Sequence, residues 1–286
     1  MSQAAVAVAA APQVDHLSDR NFARLAAFIH DYSGIKMPSN KRTMLEGRLR
    51  RRMRVHGFVS LNDYCRFLFD EAGLESETVH LIDVVTTNKT EFFREPAHFD
   101  FMERVALPAL TKGRSRPLKV WSAAASTGAE VYTIAMVLED FDAERRGPGY
   151  AILGTDICTD VLAKAVAGRY PKAMIEPVSQ ARRRQYLLQA RDPARDEVRI
   201  APALRSKVAF GRLNLMDEAY PVDDDMDIIF CRNILIYFDK PTQAKVLSRL
   251  CRHLAPGGYL ILGHSESMVG IDLPVRQVGN TVFQKR

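Results

Sequence analysis

The feature that most constrains this chain is a regular alternation of apolar segments and amphipathic segments that begins near residue 115. The predicted strands are LKVWSA, AILGTD, VAFGRLNL, MDIIFCRN and YLILGHS, and the predicted helices are residues 129–140, residues 159–167 and PTQAKVLSRLCRHL. Strands that alternate with helices in this way are typical of a parallel sheet with helices on both faces. The pattern therefore predicts an α/β domain over residues 115–286.

One interval within this domain is too long for a single crossover. Asp156 and Asn214 end successive predicted strands but lie 58 residues apart, which is far more than one helix and its loops need. Residues 171–207 are therefore predicted to form an inserted subdomain. The alternation V-R-I at residues 198–200 indicates that this subdomain contains a small antiparallel β-sheet.

Upstream of residue 115 the pattern is helical, and no segment there is a convincing strand. Helices are predicted up to Gly34, over residues 39–57, after Ser60 and over residues 76–86. This part of the chain is predicted to be an all-α domain at residues 18–86, followed by a linker at 87–114. Residues 1–17 are predicted to be a mobile tail, since no Lys or Arg precedes their small apolar residues as in a secretory signal.

Composition narrows the class of protein. No apolar run approaches the roughly 20 residues that cross a bilayer, so membrane insertion is not expected. The cysteines form no C-x-x-C pair, which argues against a disulfide framework or a cysteine zinc site and favours the cytoplasm; they are Cys65, Cys158, Cys231 and Cys251. The net charge of +6 indicates an acidic partner, which on charge alone is a nucleic acid, a membrane or a protein.

Loops at the carboxyl edge of the predicted sheet contain ligand-binding chemistry, because ligands of doubly wound sheets bind there. The segment S-A-A-A-S-T-G-A-E, residues 122–130, has small side chains and Gly128, which allow a ligand to approach the backbone. It matches neither G-x-G-x-x-G nor G-K-[ST], so nicotinamide and nucleoside triphosphate sites are not indicated. A purely structural interpretation is a capping box between Thr127 and Glu130.

Two further loops point in the same direction. Asp156 ends the second strand, where a carboxylate suits a ribose diol, although it also suits the cap of the next helix. The segment L-A-P-G-G-Y-L-I-L-G, residues 254–263, resembles the turn before a late strand in S-adenosylmethionine-dependent methyltransferases.

Four strings in order extend that resemblance to one family. They are T-N-K-T-E-F-F-R-E (87–95), W-S-A-A-A-S-T-G-A-E (121–130), I-F-C-R-N-I-L-I-Y-F-D (229–239) and L-G-H-S-E (262–266). From about residue 18 onward the chain resembles the chemotaxis receptor methyltransferases, the CheR family. The resemblance implies a Rossmann-like methyltransferase domain with an inserted antiparallel β-subdomain, preceded by an all-α domain. It also implies methyl transfer from S-adenosylmethionine to glutamate side chains of chemoreceptors, with S-adenosylhomocysteine as the product.

The resemblance also assigns residues to the site. Those implied to contact the cofactor are Asn88, Thr90, Arg94, Glu130, Asp156, Asn214, Leu215, Arg232 and Asn233. Arg94 and Tyr237 are the implied catalytic residues, and no metal is implied. Interpretations without a ligand remain open: Asn88 and Thr90 suit turn caps, Arg94 suits a surface pair with Glu91 or Glu95, and Leu215 and Tyr237 suit the core. His264 is interpreted as structural at a strand end rather than as a general base.

The implied methyl transfer requires few catalytic groups from the protein. A glutamate carboxylate is already ionised at pH 7, so its methylation needs no strong general base. A dry pocket that aligns the two reactants supplies most of the catalysis. Arg94 and Tyr237 are expected to orient the incoming carboxylate.

The helix at residues 41–54 has seven basic residues and one acidic residue. Leu45, Leu49 and Met53 recur every four residues, so they are expected to face the core. The family's acidic receptor helices make this helix a predicted docking surface, with Arg48, Arg51 and Arg52 as the docking residues. A solvated face or a nucleic-acid patch is the alternative.

Some positions depart from the family pattern. Relatives that tether to a receptor's C-terminal pentapeptide have a G-x-G loop in the inserted subdomain, whereas this chain has no glycine between Arg182 and Arg205. We therefore expect methylation independent of that tether. Ala129 and Val131 also depart, standing where the family commonly has an acid and a proline.

Two other functions are compatible with parts of this pattern. A nucleic-acid methyltransferase that acts on adenine amino groups typically has [N/D]-P-P-[Y/F] after the fourth strand, where this chain has C-R-N-I. A non-catalytic adaptor that binds S-adenosylmethionine or its product shares the fold, and fold does not fix function. The sequence favours a monomeric, cytoplasmic protein-glutamate O-methyltransferase that binds no nucleic acid and acts on the acidic methylation region of chemoreceptor cytoplasmic helices.

Overall fold

The computed structural model describes residues 15–145, 147–192 and 194–286. The predicted tail lies outside these residues up to position 14. The chain divides into two compact units. Unit 1 contains residues 15–30 and Met37–Val85, and unit 2 contains Asp31–Lys36 and Thr86–Arg286.

The regular secondary structure of unit 1 is helical in its described residues, as the sequence predicted. Its helices are α1 (Asp19–Ser33, whose last residues belong to unit 2), α2 (Arg42–Val55), α3 (Leu61–Asp70) and α4 (Leu74–Val85). Ser60 caps α3, because its side chain accepts hydrogen bonds from the backbone N–H groups of Asn62 and Asp63. The predicted inward stripe on α2 is confirmed, since Leu45, Leu49 and Met53 are all buried.

Unit 2 is built on a seven-stranded sheet of order β6-β2-β1-β7-β8-β10-β9. The strands are β1 (Leu118–Ser122), β2 (Tyr150–Asp156), β6 (Val208–Arg212), β7 (Met226–Cys231), β8 (Leu254–Leu262), β9 (Val275–Gly279) and β10 (Val282–Lys285). The first five are parallel to one another, whereas β10 is antiparallel to both β8 and β9. This confirms the predicted parallel sheet and adds a C-terminal hairpin that the sequence analysis missed.

Helices cover the sheet as a doubly wound fold requires. They are α7 (Ala129–Arg145), α8 (Thr159–Ala167) and α11 (Lys240–His253). All six residues of β7 are buried, which explains why its sequence is an uninterrupted apolar run around Asp227. Asp227 is accommodated because Arg114 donates to both of its carboxylate oxygens, each at 2.6 Å.

The segment predicted as a linker forms a helix in three parts. Residues Ala97–Phe101 (α5) and Leu107–Thr111 (α6) are α-helical and flank a π-helical turn, Met102–Ala106. Phe99, Met102 and Leu107 on this helix are buried in the core of unit 2. Among the helices that the structure describes, none combines the length and apolar composition needed to cross a bilayer.

The long interval between β2 and β6 contains the predicted antiparallel sheet. Its strands are β3 (Arg169–Pro171), β4 (Leu187–Gln189) and β5 (Glu197–Ile200), in the order β3-β5-β4. Both pairings are antiparallel. The short helices α9 (Gln180–Tyr186) and α10 (Pro202–Arg205) complete the interval.

Candidate functional site

The strand order of the large sheet reverses between β1 and β7. From β1 the chain proceeds outward through β2 to β6, and from β7 it proceeds the other way through β8. In such sheets the crevice at the carboxyl ends of the two strands at this switch point is the usual ligand site. The loops that follow β1, β2 and β7 therefore define the candidate site.

The loop after β1 is held against the end of β2 by Asp156. Its carboxylate accepts the backbone N–H of Ser126 at 2.8 Å and that of Cys158 at 3.0 Å. Asp156 is 8% exposed and Ser126 adopts a positive φ of 49°. Asp156 therefore fixes the shape of this loop, a role that the sequence analysis did not assign to it.

Gly128 sets the turn into α7. It has a φ of +86°, and a Cβ there would lie 2.9 Å from the Cβ of Ala165. Beside it, the buried Oγ1 of Thr127 has no hydrogen-bond partner within the described residues. The carboxylate of Glu130 is directed to Ser122 and Arg232. The capping-box interpretation is therefore wrong, and the Thr127 hydroxyl is left for a ligand.

Arg232, the first residue after β7, connects two acidic residues that are distant in the sequence. Its Nη1 lies 3.0 Å from Glu130 Oε2 and its Nη2 lies 2.9 Å from Glu95 Oε2. Nη2 also donates to the backbone carbonyl of Arg94. Ser122 donates to the other oxygen of Glu130 at 2.8 Å, and the side-chain amide of Asn233 donates to Glu95 Oε1 at 3.1 Å. We call these residues, with Arg232 at their centre, the Arg232 network.

The pKa values of the two carboxyl groups in the Arg232 network shift in opposite directions. Burial alone raises the pKa of Glu95, but hydrogen bonds from Asn233 and Arg232 outweigh it and lower that pKa to about 2. For Glu130 the effect of burial is the larger one, so its pKa is raised despite the charge of Arg232 and the hydrogen bond from Ser122. Glu95 is therefore held as an anion beside the guanidinium of Arg232.

The loop after β7 is tied to the loop after β8 by Glu266. This buried carboxylate accepts backbone N–H groups from Asn233 at 3.0 Å, Ile234 at 2.8 Å, Leu235 at 2.7 Å and Gly263 at 2.6 Å. Asn233 needs this support, since its φ is +58°. Glu266 thus positions the segment that leads to Tyr237.

The linker motif contacts this site through its backbone. The carbonyl of Asn88 accepts from the Ser126 hydroxyl at 3.0 Å, and the side chain of Asn88 donates to Thr86 and Cys158. The Arg94 side chain is half-buried and donates to the carbonyl of Lys89 at 3.1 Å, rather than forming the surface pair with Glu91 or Glu95. Thr90 is also half-buried.

The remaining predicted residues of unit 2 lie against its 31–36 segment. Asn214 donates to the carbonyl of Tyr32 at 2.6 Å, and its Oδ1 accepts the N–H of Met216 at 3.0 Å. Leu215 is buried beside it. Tyr237 is half-buried at the end of a short 3-10 helix, and its carbonyl accepts from the N–H of Lys36 at 3.3 Å.

Two histidines adjoin the Arg232 network. His98 is 2% exposed and its Nε2 lies 3.0 Å from the hydroxyl of Thr281. Burial, followed by the charge of Arg232, lowers its pKa to about 4, so the ring is neutral. His264 is exposed, and its ring centroid lies 4.8 Å from that of His98.

The three predicted docking arginines on α2 differ in their surroundings. Arg51 is exposed. Arg48 donates to the carbonyl of Val85, and Arg52 pairs with both oxygens of buried Glu77. Arg52 therefore stabilises unit 1 internally, while Arg51 presents its charge to solvent.

The structure thus brings most predicted site residues to one sheet edge and reveals others that the sequence analysis missed. The site members that the sequence analysis missed are Glu95, Ser122, Ser126 and Glu266. Glu95 had been considered only as a surface partner of Arg94. A polar residue that follows an apolar strand or an aromatic pair must find a partner when buried, and that is the one signal that could have found Glu95 and Glu266.

Comparison with known proteins gives matches to two family models. The family model described as "CheR methyltransferase, SAM binding domain" matches residues 88–283, and "CheR methyltransferase, all-alpha domain" matches residues 20–86.

Similar curated proteins include the chemotaxis protein methyltransferase of Klebsiella aerogenes, which is 39% identical over 93% of this chain and 90% of its own. Chemotaxis protein methyltransferase 2 of Pseudomonas aeruginosa is 36% identical over 94% of each chain. The chemotaxis protein methyltransferase of Borreliella burgdorferi is 35% identical over 89% of this chain and 90% of its own. The chain therefore belongs to the CheR family of S-adenosylmethionine-dependent chemotaxis methyltransferases.

Proposed function

We propose that this protein forms methyl esters on glutamate side chains of chemoreceptors, with S-adenosylmethionine as methyl donor. The observation that carries the proposal is the Arg232 network at the switch point of the sheet, where the linker, the β1 loop and the β7 loop converge. Glu95 and Glu130 are both engaged by Arg232, so neither is placed to take a proton from a nucleophile. A carboxylate nucleophile has no proton to lose, whereas an amine does.

The residues present fit the cofactor. The unpartnered hydroxyl of Thr127 lies at the start of α7, where N–H groups and the helix dipole favour the carboxylate of an amino acid. Asp156, whose carboxylate accepts from the backbone N–H groups of Ser126 and Cys158, ends β2 where an acidic residue suits the ribose hydroxyls. By resemblance Asn214 and Leu215 border the adenine. When bound, S-adenosylmethionine supplies an electrophilic methyl group on a positively charged sulfur.

Other side chains position the acceptor. Arg94 and Tyr237 remain the proposed residues that orient the incoming glutamate carboxylate. Glu266 holds the turn that precedes Tyr237, and Asn88, Thr90 and Asn233 shape the cofactor side of the site. Alignment of the two reactants in a dry pocket is the main source of rate in this proposal.

The receptor is proposed to dock on the basic face of α2. The +6 charge of the chain and the exposure of Arg51 support an acidic partner helix. Arg48 remains a proposed docking residue, and its Nη1 donates to the carbonyl of Val85. The proposed setting is the cytoplasm, and the proposed active species is a monomer.

Tether independence also remains a proposal. It is supported by the absence of glycine between Arg182 and Arg205, where β4 and β5 lie. A receptor that lacks its C-terminal pentapeptide is therefore expected to be methylated as well as the intact receptor.

The test uses radiolabelled S-adenosylmethionine with receptor-containing membranes, followed by mild alkali. Labelled methanol released from wild type, and reduced for Arg94→Ala and Tyr237→Phe, supports glutamate ester formation. Alkali-stable label, or label on added DNA or RNA, contradicts it. Cofactor binding without label on several receptors would favour the adaptor function instead.

A further inference from the structure

Three side chains with metal-ligating atoms converge beside the Arg232 network. Glu95, His98 and His264 offer ligand atoms that all lie within 4.8 Å of one another. His98 Nδ1 and Glu95 Oε2 are 3.5 Å apart. Ligand atoms on a tetrahedral zinc ion, with bonds of about 2.0–2.1 Å, are separated by about 3.4 Å. Two of the three ligands therefore already have the spacing of a zinc site.

The strongest sign of a missing partner is the ring of His98. Its Nδ1 is buried and has no hydrogen-bond partner within the described residues. Its Nε2 is fixed by the hydroxyl of Thr281 at 3.0 Å. In the tautomer whose Nε2–H donates to that hydroxyl, the lone pair of Nδ1 faces the carboxylate of Glu95, and a cation between the two atoms would stabilise this arrangement; in the other tautomer Nδ1–H faces the carboxylate. A second-shell hydrogen bond on the far nitrogen is also the usual arrangement of a zinc-bound histidine.

The third side chain gives access from solvent. His264 is exposed, and its ring packs edge-to-face against that of His98, with the ring centroids 4.8 Å apart. His264 and Thr281 line a cavity of about 520 Å³, which is large enough for a cation to enter with water on its fourth position.

We propose that Glu95, His98 and His264 form a Zn²⁺ site with one open position, a site that the sequence analysis did not expect. Two imidazoles and one carboxylate favour Zn²⁺ over the harder Mg²⁺.

A metal ion in this site and the guanidinium of Arg232 would bind the same atom, Glu95 Oε2. Glu95 Oε2 accepts Arg232 Nη2 at 2.9 Å and the backbone N–H of His264 at 3.2 Å, while Asn233 donates to Oε1. A cation on Oε2 weakens the Glu95–Arg232 pair, because it withdraws charge from the same oxygen. Zn²⁺ is therefore an inhibitor of methyl transfer in this proposal, although its binding is measured independently of activity.

The experiment titrates the full-length, chelator-treated protein with Zn²⁺ against a chromophoric competitor. The variants are His264→Gln and, as a matched control, His80→Gln, an exposed histidine in unit 1. Other histidine–glutamate pairs, His16 with Glu46 and His56 with Glu77, remain intact in both variants, so any zinc they bind is common to all samples. Co²⁺ is added in parallel, because its visible spectrum reports tetrahedral coordination.

Wild type and His80→Gln are expected to bind one more equivalent of Zn²⁺ than His264→Gln, or to bind it at least tenfold more tightly, about the smallest effect of disturbing a zinc ligand's partners. A tetrahedral Co²⁺ spectrum should appear in wild type and be lost in His264→Gln, and excess Mg²⁺ should not compete. Equal zinc binding by wild type and His264→Gln overturns the proposal, whatever the methyltransferase activity of either protein. Zn²⁺ binding that leaves methyl transfer unchanged overturns the inhibitory role.

Discussion

Unit 1 and unit 2 each bury an arginine–carboxylate cluster, and the two clusters differ in how completely their polar atoms are hydrogen-bonded. In unit 1 the carboxylate of Glu77 accepts hydrogen bonds from two nitrogens of Arg52. It also accepts from the Tyr64 hydroxyl at 2.8 Å and pairs with His56 at 2.8 Å. We call this the Glu77 cluster. In unit 2 one guanidinium, that of Arg232, is shared between Glu130 and Glu95.

The two clusters differ in the number of buried polar atoms without a hydrogen bond and of strained backbone residues near them. Four buried side-chain atoms in the described residues have no hydrogen-bond partner, and three lie in or next to the Arg232 network: Arg232 Nε, His98 Nδ1 and Thr127 Oγ1. Backbone strain is also concentrated there, with positive φ at Phe93, Glu95, Ser126, Asn233 and Thr281. Folding alone does not reward unpaired polar atoms or strained backbone. The Glu77 cluster is therefore structural, whereas the Arg232 network is preorganised for a ligand.

The largest expected effect comes from Arg232→Met. It leaves Glu95 and Glu130 as buried carboxylates without their cation, which is expected to cost about 3–5 kcal/mol of unfolding free energy. Methyl transfer is expected to fall by about 100-fold or more, as when one preorganised electrostatic group is removed. Chemical denaturation followed by Trp121, the single tryptophan and a buried residue of unit 2, reports the stability.

The matched variant is Arg52→Met in the Glu77 cluster. It is expected to destabilise unit 1 while leaving the affinity of unit 2 for S-adenosylmethionine unchanged. Calorimetric titration with the cofactor checks this, and equal losses of cofactor affinity in both variants would remove the distinction between the clusters. Arg232→Lys, which keeps the charge but cannot bridge two carboxylates in a fork, covers the case in which Arg232→Met fails to fold.

The next effect is a pH dependence of unit 1. Burial raises the pKa of Glu77, but hydrogen bonds from Arg52, His56 and Tyr64 outweigh it and lower that pKa to about 2. A carboxyl whose pKa is depressed by folding adds stability above its unfolded pKa and loses it as the pH falls through the folded value. Between about pH 4.5 and pH 2, unit 1 should therefore lose roughly 3 kcal/mol.

Hydrogen exchange of α2 and α4 across this pH range measures the effect of Glu77. Glu77→Gln removes the titrating group, so its exchange rates should show a weaker pH dependence after correction for intrinsic rates. The same acid dependence in both proteins would show that other carboxyls govern the acid unfolding of unit 1.

The two clusters also show what the sequence can and cannot predict. The alternation of strand and helix patterns after residue 115 was sufficient to predict the parallel sheet, because these patterns are local in the sequence. The β9–β10 hairpin was missed, although its turn residues Gly279-Asn280-Thr281 were a local signal. The resemblance to the CheR family assigns Arg232 and Asn233 to the site, and their position at the end of an apolar strand agrees with this, because polar residues there need partners.

The sequence could not predict ion-pair and hydrogen-bond partners that lie far apart along the chain. Glu95 lies 137 positions from Arg232, and Glu266 lies 31–33 positions from Asn233, Ile234 and Leu235, whose N–H groups it binds. No local pattern encodes such pairings, since they depend on which strands become neighbours. Arg48, Arg51 and Arg52 look alike in the sequence for the same reason, yet only the fold assigns Arg52 to Glu77.

Glu266→Gln tests whether a buried carboxylate of unit 2 whose oxygens are paired with backbone N–H groups also contributes to catalysis. An amide replaces one acceptor with a donor, which then opposes backbone N–H groups, and the expected cost is about 1–3 kcal/mol. Because the affected turn leads to Tyr237, kcat should fall more than the affinity for S-adenosylmethionine. Glu218→Gln, an exposed glutamate of unit 2, is the control for charge alone. A loss of stability with unchanged kcat would make Glu266 purely structural, like Glu77.

The smallest effect, and the sharpest in sign, is expected from Thr127→Val. The buried hydroxyl of Thr127 has no protein partner, so its removal should leave the free protein equally stable or more stable by up to about 1–3 kcal/mol. The affinity for S-adenosylmethionine should nevertheless fall by about tenfold, because one hydrogen bond to the ligand, worth about 1.4 kcal/mol, is lost.

Thr133→Val is the matched change at a threonine whose hydroxyl is used by the protein. That hydroxyl donates to the carbonyl of Ala129 at 2.8 Å and accepts the N–H of Phe93 at 3.2 Å. The free protein should therefore be destabilised by Thr133→Val and not by Thr127→Val. Thermal unfolding with and without S-adenosylmethionine measures both effects. If Thr127→Val destabilises the free protein as much as Thr133→Val does, the hydroxyl of Thr127 is part of the fold, and the unfinished character of the Arg232 network no longer identifies the ligand site.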